Sequence, residues 1–108
     1  MKQFIKSMYE ELLPEDSKQY RDIFLTYRDL KSEDGTTANK LTRDALILAQ
    51  RWSDISSNAT LYATEHSIPK TDFQKWSYER YRQLQLMHEH CRMIWARAED
   101  ALKRYLNE

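Results

Sequence analysis

Basic, amide and hydroxyl side chains cluster between residues 70 and 82, and together they have the chemistry to contact a nucleic acid. Lys and Arg pair with phosphates, whereas Gln, Ser and Thr hydrogen-bond to base edges or to phosphate oxygens. The candidate contacts are Lys70, Thr71, Gln74, Lys75, Ser77, Arg80 and Arg82. Two interpretations stay open at this level, a surface that grips double-stranded DNA and an ordinary solvated helix face of mixed charge.

The charge balance limits how such a surface could work. The chain has 17 Lys/Arg and 17 Asp/Glu, a formal net charge of +0, so no overall field draws it toward nucleic acid or an anionic membrane. Residues 40–82 form the basic part, with seven Lys/Arg against five Asp/Glu, whereas residues 1–39 have six against eight. DNA binding would therefore depend on a local patch.

Composition predicts an all-α protein, a small helical bundle in a single domain that covers residues 1–108. The chain has one Gly and two Pro, and helix-forming residues are plentiful. The lone Cys91 cannot form an internal disulfide, and no apolar run resembles a signal peptide or a membrane span. We expect a cytoplasmic protein that does not associate with a membrane.

Apolar periodicity and Pro14 predict an N-terminal helical hairpin over residues 1–31. Residues 2–13 read as an amphipathic helix, and a second helix starts at Pro14 and ends near Lys31. Residues 32–39 have the composition of a loop.

The middle of the chain predicts a third helix that begins at Leu41, with Thr42 as its cap. Ser, Asn and Thr side chains should interrupt it near residues 56–58, and a short helix should follow over residues 59–66.

The C-terminal third predicts one long helix over residues 72–106, capped by Thr71 and Gln74. Its apolar positions alternate four- and three-residue steps, which is the pattern of a heptad seam. The seam residues expected to mediate oligomerisation are Tyr81, Leu84, His88, Cys91, Trp95 and Leu102. Two partners for the seam are equally compatible with the pattern: another subunit, giving a homo-oligomer, or the first two helices of the same chain.

A helix-turn-helix is predicted within residues 41–82. Ala63 is the small residue of its second helix, Ser67 lies at the turn, Ile68 is the buried turn residue, and Phe73 and Trp76 anchor the next helix. The turn position usually requires positive φ, so Ser67 is expected to adopt that conformation at some energetic cost.

The run from Asn58-Ala59-Thr60 to Ile68-Pro69-Lys70 resembles the DNA-binding segment of phage small terminase subunits and related mobile-element proteins. The resemblance covers about twenty residues, or about thirty-five with the supporting helix. It implies a DNA-binding protein of phage type that recognises packaging DNA and hands it to a large motor subunit.

Other functions have weaker signals. A helical adaptor that binds a partner protein through the seam, without nucleic acid, is the main alternative. No phosphate loop, nucleophile elbow or paired carboxylate motif indicates an enzyme, and no cofactor is expected. His88, His90 and Cys91 are close in sequence, but one helix would supply two ligands at most, so we expect no metal site.

Overall fold

The computed structural model describes residues 14–31 and 34–107, and this part of the chain is helical, with no strand. Its four helices are α1 (Pro14–Arg28), α2 (Gly35–Ser57), α3 (Ala59–Glu65) and α4 (Lys70–Asn107). The all-α prediction is confirmed, as is a long C-terminal helix. The helix predicted over residues 2–13 lies outside the described residues.

The start of α2 corrects the sequence prediction. The helix begins at Gly35 rather than Leu41, because Asp34 caps it: Asp34 Oδ1 accepts a hydrogen bond from the Thr37 amide at 2.9 Å, and the Thr37 hydroxyl donates to Oδ2 at 2.6 Å. Thr42 lies inside the helix, where its hydroxyl donates to the Ala38 carbonyl at 2.7 Å. The predicted loop is accordingly much shorter.

Helix α2 runs antiparallel to α4 along most of its length. The N-terminal end of α2 lies against the far part of α4, since a Cβ added to Gly35 would come within 2.6 Å of Ala98 Cβ. Toward the other end, the rings of Trp52 and Trp76 meet edge to face with centroids 5.2 Å apart. Gly35 therefore permits a close approach of the two helices that a side chain would obstruct.

Helix α1 runs parallel to α4. Three side-chain hydrogen bonds join residues that are 63 positions apart in each case, which requires the two helices to advance in the same direction: Ser17 with Arg80, Tyr20 with Gln83, and Tyr27 with His90. An ion pair from Arg51 Nε to Asp16 Oδ2, at 2.5 Å, ties α1 to α2. The result is a three-helix bundle of α1, α2 and α4.

The core lies mainly between α2 and α4. Helix α2 buries Ala38, Leu41, Ala45, Leu48, Ala49, Trp52 and Ile55. Helix α4 buries Phe73, Ser77, Arg80, Leu84, Met87, Cys91 and Ile94. The central part of the predicted seam is thus covered by α2 of the same chain, which was neither of the two partners expected for it.

Helix α4 extends beyond the rest of the bundle. Its 38 residues span about 57 Å at 1.5 Å per residue, and every residue from 99 to 107 is exposed. We call this segment the overhang. No helix within residues 14–31 and 34–107 is long and apolar enough to cross a lipid bilayer.

Candidate nucleic-acid interface

A sharp turn joins α3 to α4, and its hydrogen bonds define a Schellman motif. The Ile68 amide donates to the Ala63 carbonyl at 2.9 Å, and the Ser67 amide donates to the Thr64 carbonyl at 3.4 Å. Ser67 has φ 54°, the only positive φ of a non-glycine residue in the described chain. The backbone conformation expected at this turn is therefore present, adopted by Ser in place of the usual Gly.

Apolar residues on both sides of the turn fix its two helices against each other. Ala63 and Ile68 are buried at the turn, and Phe73 is buried one turn into α4. The Phe73 ring stacks on Tyr62 of α3, with centroids 6.0 Å apart. Since Trp76 packs on Trp52 of α2, the predicted anchors hold α3 and the start of α4 on the bundle.

The break before α3 also matches the prediction. Helix α2 ends at Ser57, and the Asn58 amide still donates to the Asp54 carbonyl at 3.0 Å. The short helix then begins at Ala59, which is buried, and ends at Glu65, one residue earlier than predicted. A helix, a tight turn and the start of a second helix therefore follow one another at the expected spacing.

Four of the seven candidate contacts lie together on the exposed start of α4: Lys70, Thr71, Gln74 and Lys75. Arg82 is exposed two turns further along, and its Nη1 donates to Gln85 Oε1 at 3.0 Å. With about 3.6 residues per turn, Thr71, Lys75 and Arg82 share one helix face. The first turn of α4 adds the partial positive charge of a helix N-terminus.

Tyr78 belongs to the same face and was missed by the sequence analysis. Its side chain is 52% exposed, and its ring lies 6.1 Å from that of Tyr81. The spacing from Thr71 through Lys75 to Tyr78 and Arg82, in steps of four, three and four, was a signal that could have identified it. We define the recognition face as Thr71, Gln74, Lys75, Tyr78 and Arg82.

Arg80 is a correction to the predicted contacts. Its side chain is 5% exposed, and its Nη1 donates to Ser17 Oγ of α1 at 3.2 Å. The guanidinium carbon lies over three aromatic rings, 4.3 Å from the centroid of Tyr20, 4.7 Å from that of Trp76 and 5.2 Å from that of Trp52. Arg80 therefore joins the three long helices by cation–π contacts and does not reach a phosphate.

Ser77 and Thr71 also differ from their predicted roles. Ser77 is fully buried, and its hydroxyl donates to the Gln74 carbonyl at 3.1 Å, so it is not available to bases. Ser77 lies on the same helix face as Phe73, Arg80 and Leu84, which is the face turned toward the bundle. Thr71 does not cap α4, because the helix already starts at Lys70 and Thr71 lies inside it. The Thr71 side chain is exposed to solvent.

The residues predicted to mediate oligomerisation separate into two groups. Leu84 and Cys91 are fully buried within the chain, and Tyr81 and His88 are half-buried, with His88 Nδ1 3.1 Å from the Thr42 carbonyl oxygen. These four side chains pack, wholly or in part, against their own bundle, which leaves little of them to contact another subunit. Trp95 and Leu102 remain exposed.

Cys91 is buried on the inner face of α4. Burial raises the pKa of the Cys91 thiol, which disfavours the reactive thiolate. Within residues 14–31 and 34–107 no three His, Cys, Asp or Glu side chains lie close enough to hold a metal ion.

Acidic side chains flank the recognition face without belonging to it. Asp72 and Glu79 are exposed on α4, on a neighbouring face about 100° further round the helix. Together with Lys70, Lys75 and Arg82 they leave a small local excess of positive charge.

No family model, curated protein or solved structure matches this chain.

Proposed function

We propose that this chain is a non-enzymatic protein that binds double-stranded DNA through α3, the Ser67 turn and the start of α4. One observation carries the proposal: the Schellman turn at Ser67 buries Ala63, Ile68 and Phe73 while the recognition face of α4 stays exposed and free of carboxylates. An exposed helix face of this kind, held at a fixed angle by a preceding short helix, fits a major groove.

The exposed residues divide naturally into two roles. Lys70, Lys75 and Arg82 would pair with phosphates and set the position of the helix on the duplex. Gln74 and Thr71 would face the base edges, where an amide can bind adenine through two hydrogen bonds. Tyr78 would add apolar contact, for example with a thymine methyl group.

Three phosphate-binding cations predict modest affinity for a single copy. The logarithm of the binding constant should fall with the logarithm of the salt concentration with a slope of about −3, near −0.9 for each neutralised phosphate. A homo-oligomer would multiply these contacts, which is why the number of copies matters to the function.

The test is fluorescence anisotropy with labelled random duplex DNA across a salt series. We compare the native chain with Lys75→Glu plus Arg82→Glu, and with the matched control Lys40→Glu plus Arg43→Glu, which makes the same charge change at exposed positions of α2. We expect the first variant to lose binding and the control to retain most of it. Equal loss in both variants would show a non-specific charge effect, and absence of binding by the folded native chain at low salt would contradict the proposal.

A small terminase subunit of phage origin, acting in the cytoplasm, remains the most concrete form of this proposal. It is supported by the resemblance of residues 58–70 and by the turn found there. Its specific prediction is a preference for one duplex sequence over random DNA, which selection from a random duplex library would reveal.

The alternative function is a helical adaptor that binds a partner protein without nucleic acid. Because Leu84 and Cys91 are buried, such a partner would be limited to the exposed end of the seam, at Trp95, Leu102 and Tyr105. The anisotropy measurement separates the two functions.

A further inference from the structure

A side-chain hydrogen bond joins the recognition face to the body of the bundle. Arg82 Nη1 donates to Gln85 Oε1 at 3.0 Å, and Gln85 is half-buried whereas Arg82 is exposed. Gln85 lines the cleft between α2 and α4 together with Leu46, Tyr81 and His88. The exposed arginine of the recognition face is therefore bonded to a side chain that packing against the bundle partly fixes.

The spacing of the two residues along α4 suits this contact. Side chains on an α-helix tilt toward its N-terminus, so Gln85, three residues further on, leans back over the turn that carries Arg82. A guanidinium has only donors, and the amide oxygen of Gln accepts from it without adding a charge. The bond uses one N–H group of Arg82 and leaves the others, with the whole positive charge, to meet a phosphate.

A fixed guanidinium matters because a long side chain loses rotamer freedom when it becomes part of an interface. Ordering one such side chain costs about two- to tenfold in affinity. If Arg82 is already held in place before the duplex arrives, part of that cost is removed, which is the usual effect of pre-organisation.

We propose that Gln85 is a positioning residue for DNA binding, and that it holds Arg82 in the orientation in which Arg82 pairs with a phosphate of the duplex. This inference rests on the proposed function, and it adds a residue that acts through another without touching DNA. Because Gln85 contributes order and no charge, it raises the affinity without changing the number of phosphates that the protein neutralises.

Fluorescence anisotropy across a salt series compares Gln85→Met with the native chain on labelled duplex DNA. Met keeps the length of the side chain and its helix propensity but removes the amide acceptor. We expect about two- to tenfold weaker binding, with an unchanged slope of the logarithm of the binding constant against that of the salt concentration. Arg82→Ala removes a charge, so it should also reduce the magnitude of that slope by about 0.9.

The matched control is Gln50→Met, the same substitution on the α2 wall of the same cleft, which should bind DNA like the native chain. Circular dichroism checks that all variants are folded. If Gln50→Met weakened binding as much as Gln85→Met, the effect would belong to the cleft as a whole and the proposal would be overturned.

A double variant separates positioning from a structural role. If Gln85 acts through Arg82, then adding Gln85→Met to Arg82→Ala should cause no further loss of affinity. A loss of the same size with and without Arg82 would mean that Gln85 supports the fold or contacts DNA directly, which contradicts the proposal. So would equal affinities of Gln85→Met and the native chain.

NMR relaxation of the arginine side-chain Nε–H groups tests the positioning without DNA. The order parameter of Arg82 should fall in Gln85→Met, whereas that of Arg97, an exposed arginine elsewhere on α4, should stay the same. A native chain that binds no DNA at low salt would overturn the proposed function and this inference together. DNA binding by a chain whose Arg82 is as mobile as Arg97 would overturn this inference alone.

Discussion

Arg80 and Arg82 show how two identical side chains, two positions apart, come to have different roles. Arg80 points into the bundle, where Ser17 and three aromatic rings surround it, whereas Arg82 lies in solvent on the recognition face. Of the two, only Arg82 is exposed enough to meet a DNA phosphate in the proposed complex, whereas Arg80 makes its contacts inside the bundle.

We expect Arg80→Ala to lower the free energy of unfolding by about 2 kcal/mol or more, because it removes cation–π contacts and a hydrogen bond in a desolvated site. Arg82→Ala should change it by less than about 0.5 kcal/mol. Urea unfolding followed by circular dichroism measures both. Similar stabilities for the two variants would contradict the buried position of Arg80.

Ser67 is the residue at which the turn between α3 and α4 departs from the composition usual for this position, which is Gly. A Ser at φ 54° carries a conformational cost that Gly avoids. We expect Ser67→Gly to be neutral or to stabilise the fold by up to about 1 kcal/mol, the gain being reduced by the greater freedom of Gly in the unfolded chain. A β-branched residue fits poorly at this φ, so Ser67→Val should destabilise the fold by more than about 1 kcal/mol.

Arg97→Gly, at an exposed position inside α4, is the control for the Ser67 variants and should cost about 1 kcal/mol. If Ser67→Gly destabilised the fold as much as Arg97→Gly, the turn would not have the conformation described.

At the scale of the elements, Asp34 determines where α2 begins. The hydrogen bond from the Thr37 hydroxyl, followed by that from the Thr37 amide, lowers the pKa of the Asp34 carboxyl below its ordinary value of 3.8. Because the folded pKa lies below the unfolded one, the charged cap contributes stability that is complete above the unfolded pKa and is lost as the pH falls through the folded pKa.

We therefore expect Asp34→Ala to lower the urea midpoint at pH 7 and to have a smaller effect below pH 3.8, provided that the protein stays folded there. Asp29→Ala, at an exposed residue that pairs with Arg28 at the surface, is the control and should change the midpoint little. A difference between native chain and Asp34→Ala that stays constant from pH 7 to acid would contradict the role of the charged carboxylate.

At the scale of the whole molecule, the stability of the bundle should not depend on the overhang. Residues 99–107 are exposed throughout and contribute little to the core. A chain that ends at Ala98 should keep its free energy of unfolding within about 0.5 kcal/mol of the full chain when both are measured as dilute monomers. A much larger loss would show that the overhang packs on its own bundle.

Much of the fold followed from local patterns that need no partner. Pro14 starts α1, the Ser and Asn residues near 57 end α2, and the spacing from Ala63 to Phe73 predicted the turn between α3 and α4. These features depend on backbone preferences and on apolar periodicity over a few residues, and so the sequence by itself determined them. The exposed start of α4, with Lys70, Gln74 and Lys75, was predicted for the same reason.

Which faces of α4 are covered was decided only by the tertiary structure. Arg80 and Ser77 were assigned to DNA because their residue types suit it. Contacts with Ser17 and Tyr20 of α1, which are distant in sequence, instead place the Arg80 side chain inside the bundle. The central seam was assigned to another subunit or to the first helices, but α2 covers it. His88 of the seam lies 3.1 Å from the Thr42 carbonyl oxygen, in a part of α2 that was predicted to be helical, and only the partner was missed. Which side chains are buried depends on which helices pack together. The apolar periodicity of one helix predicts that it has an apolar face, but it does not predict which element covers that face.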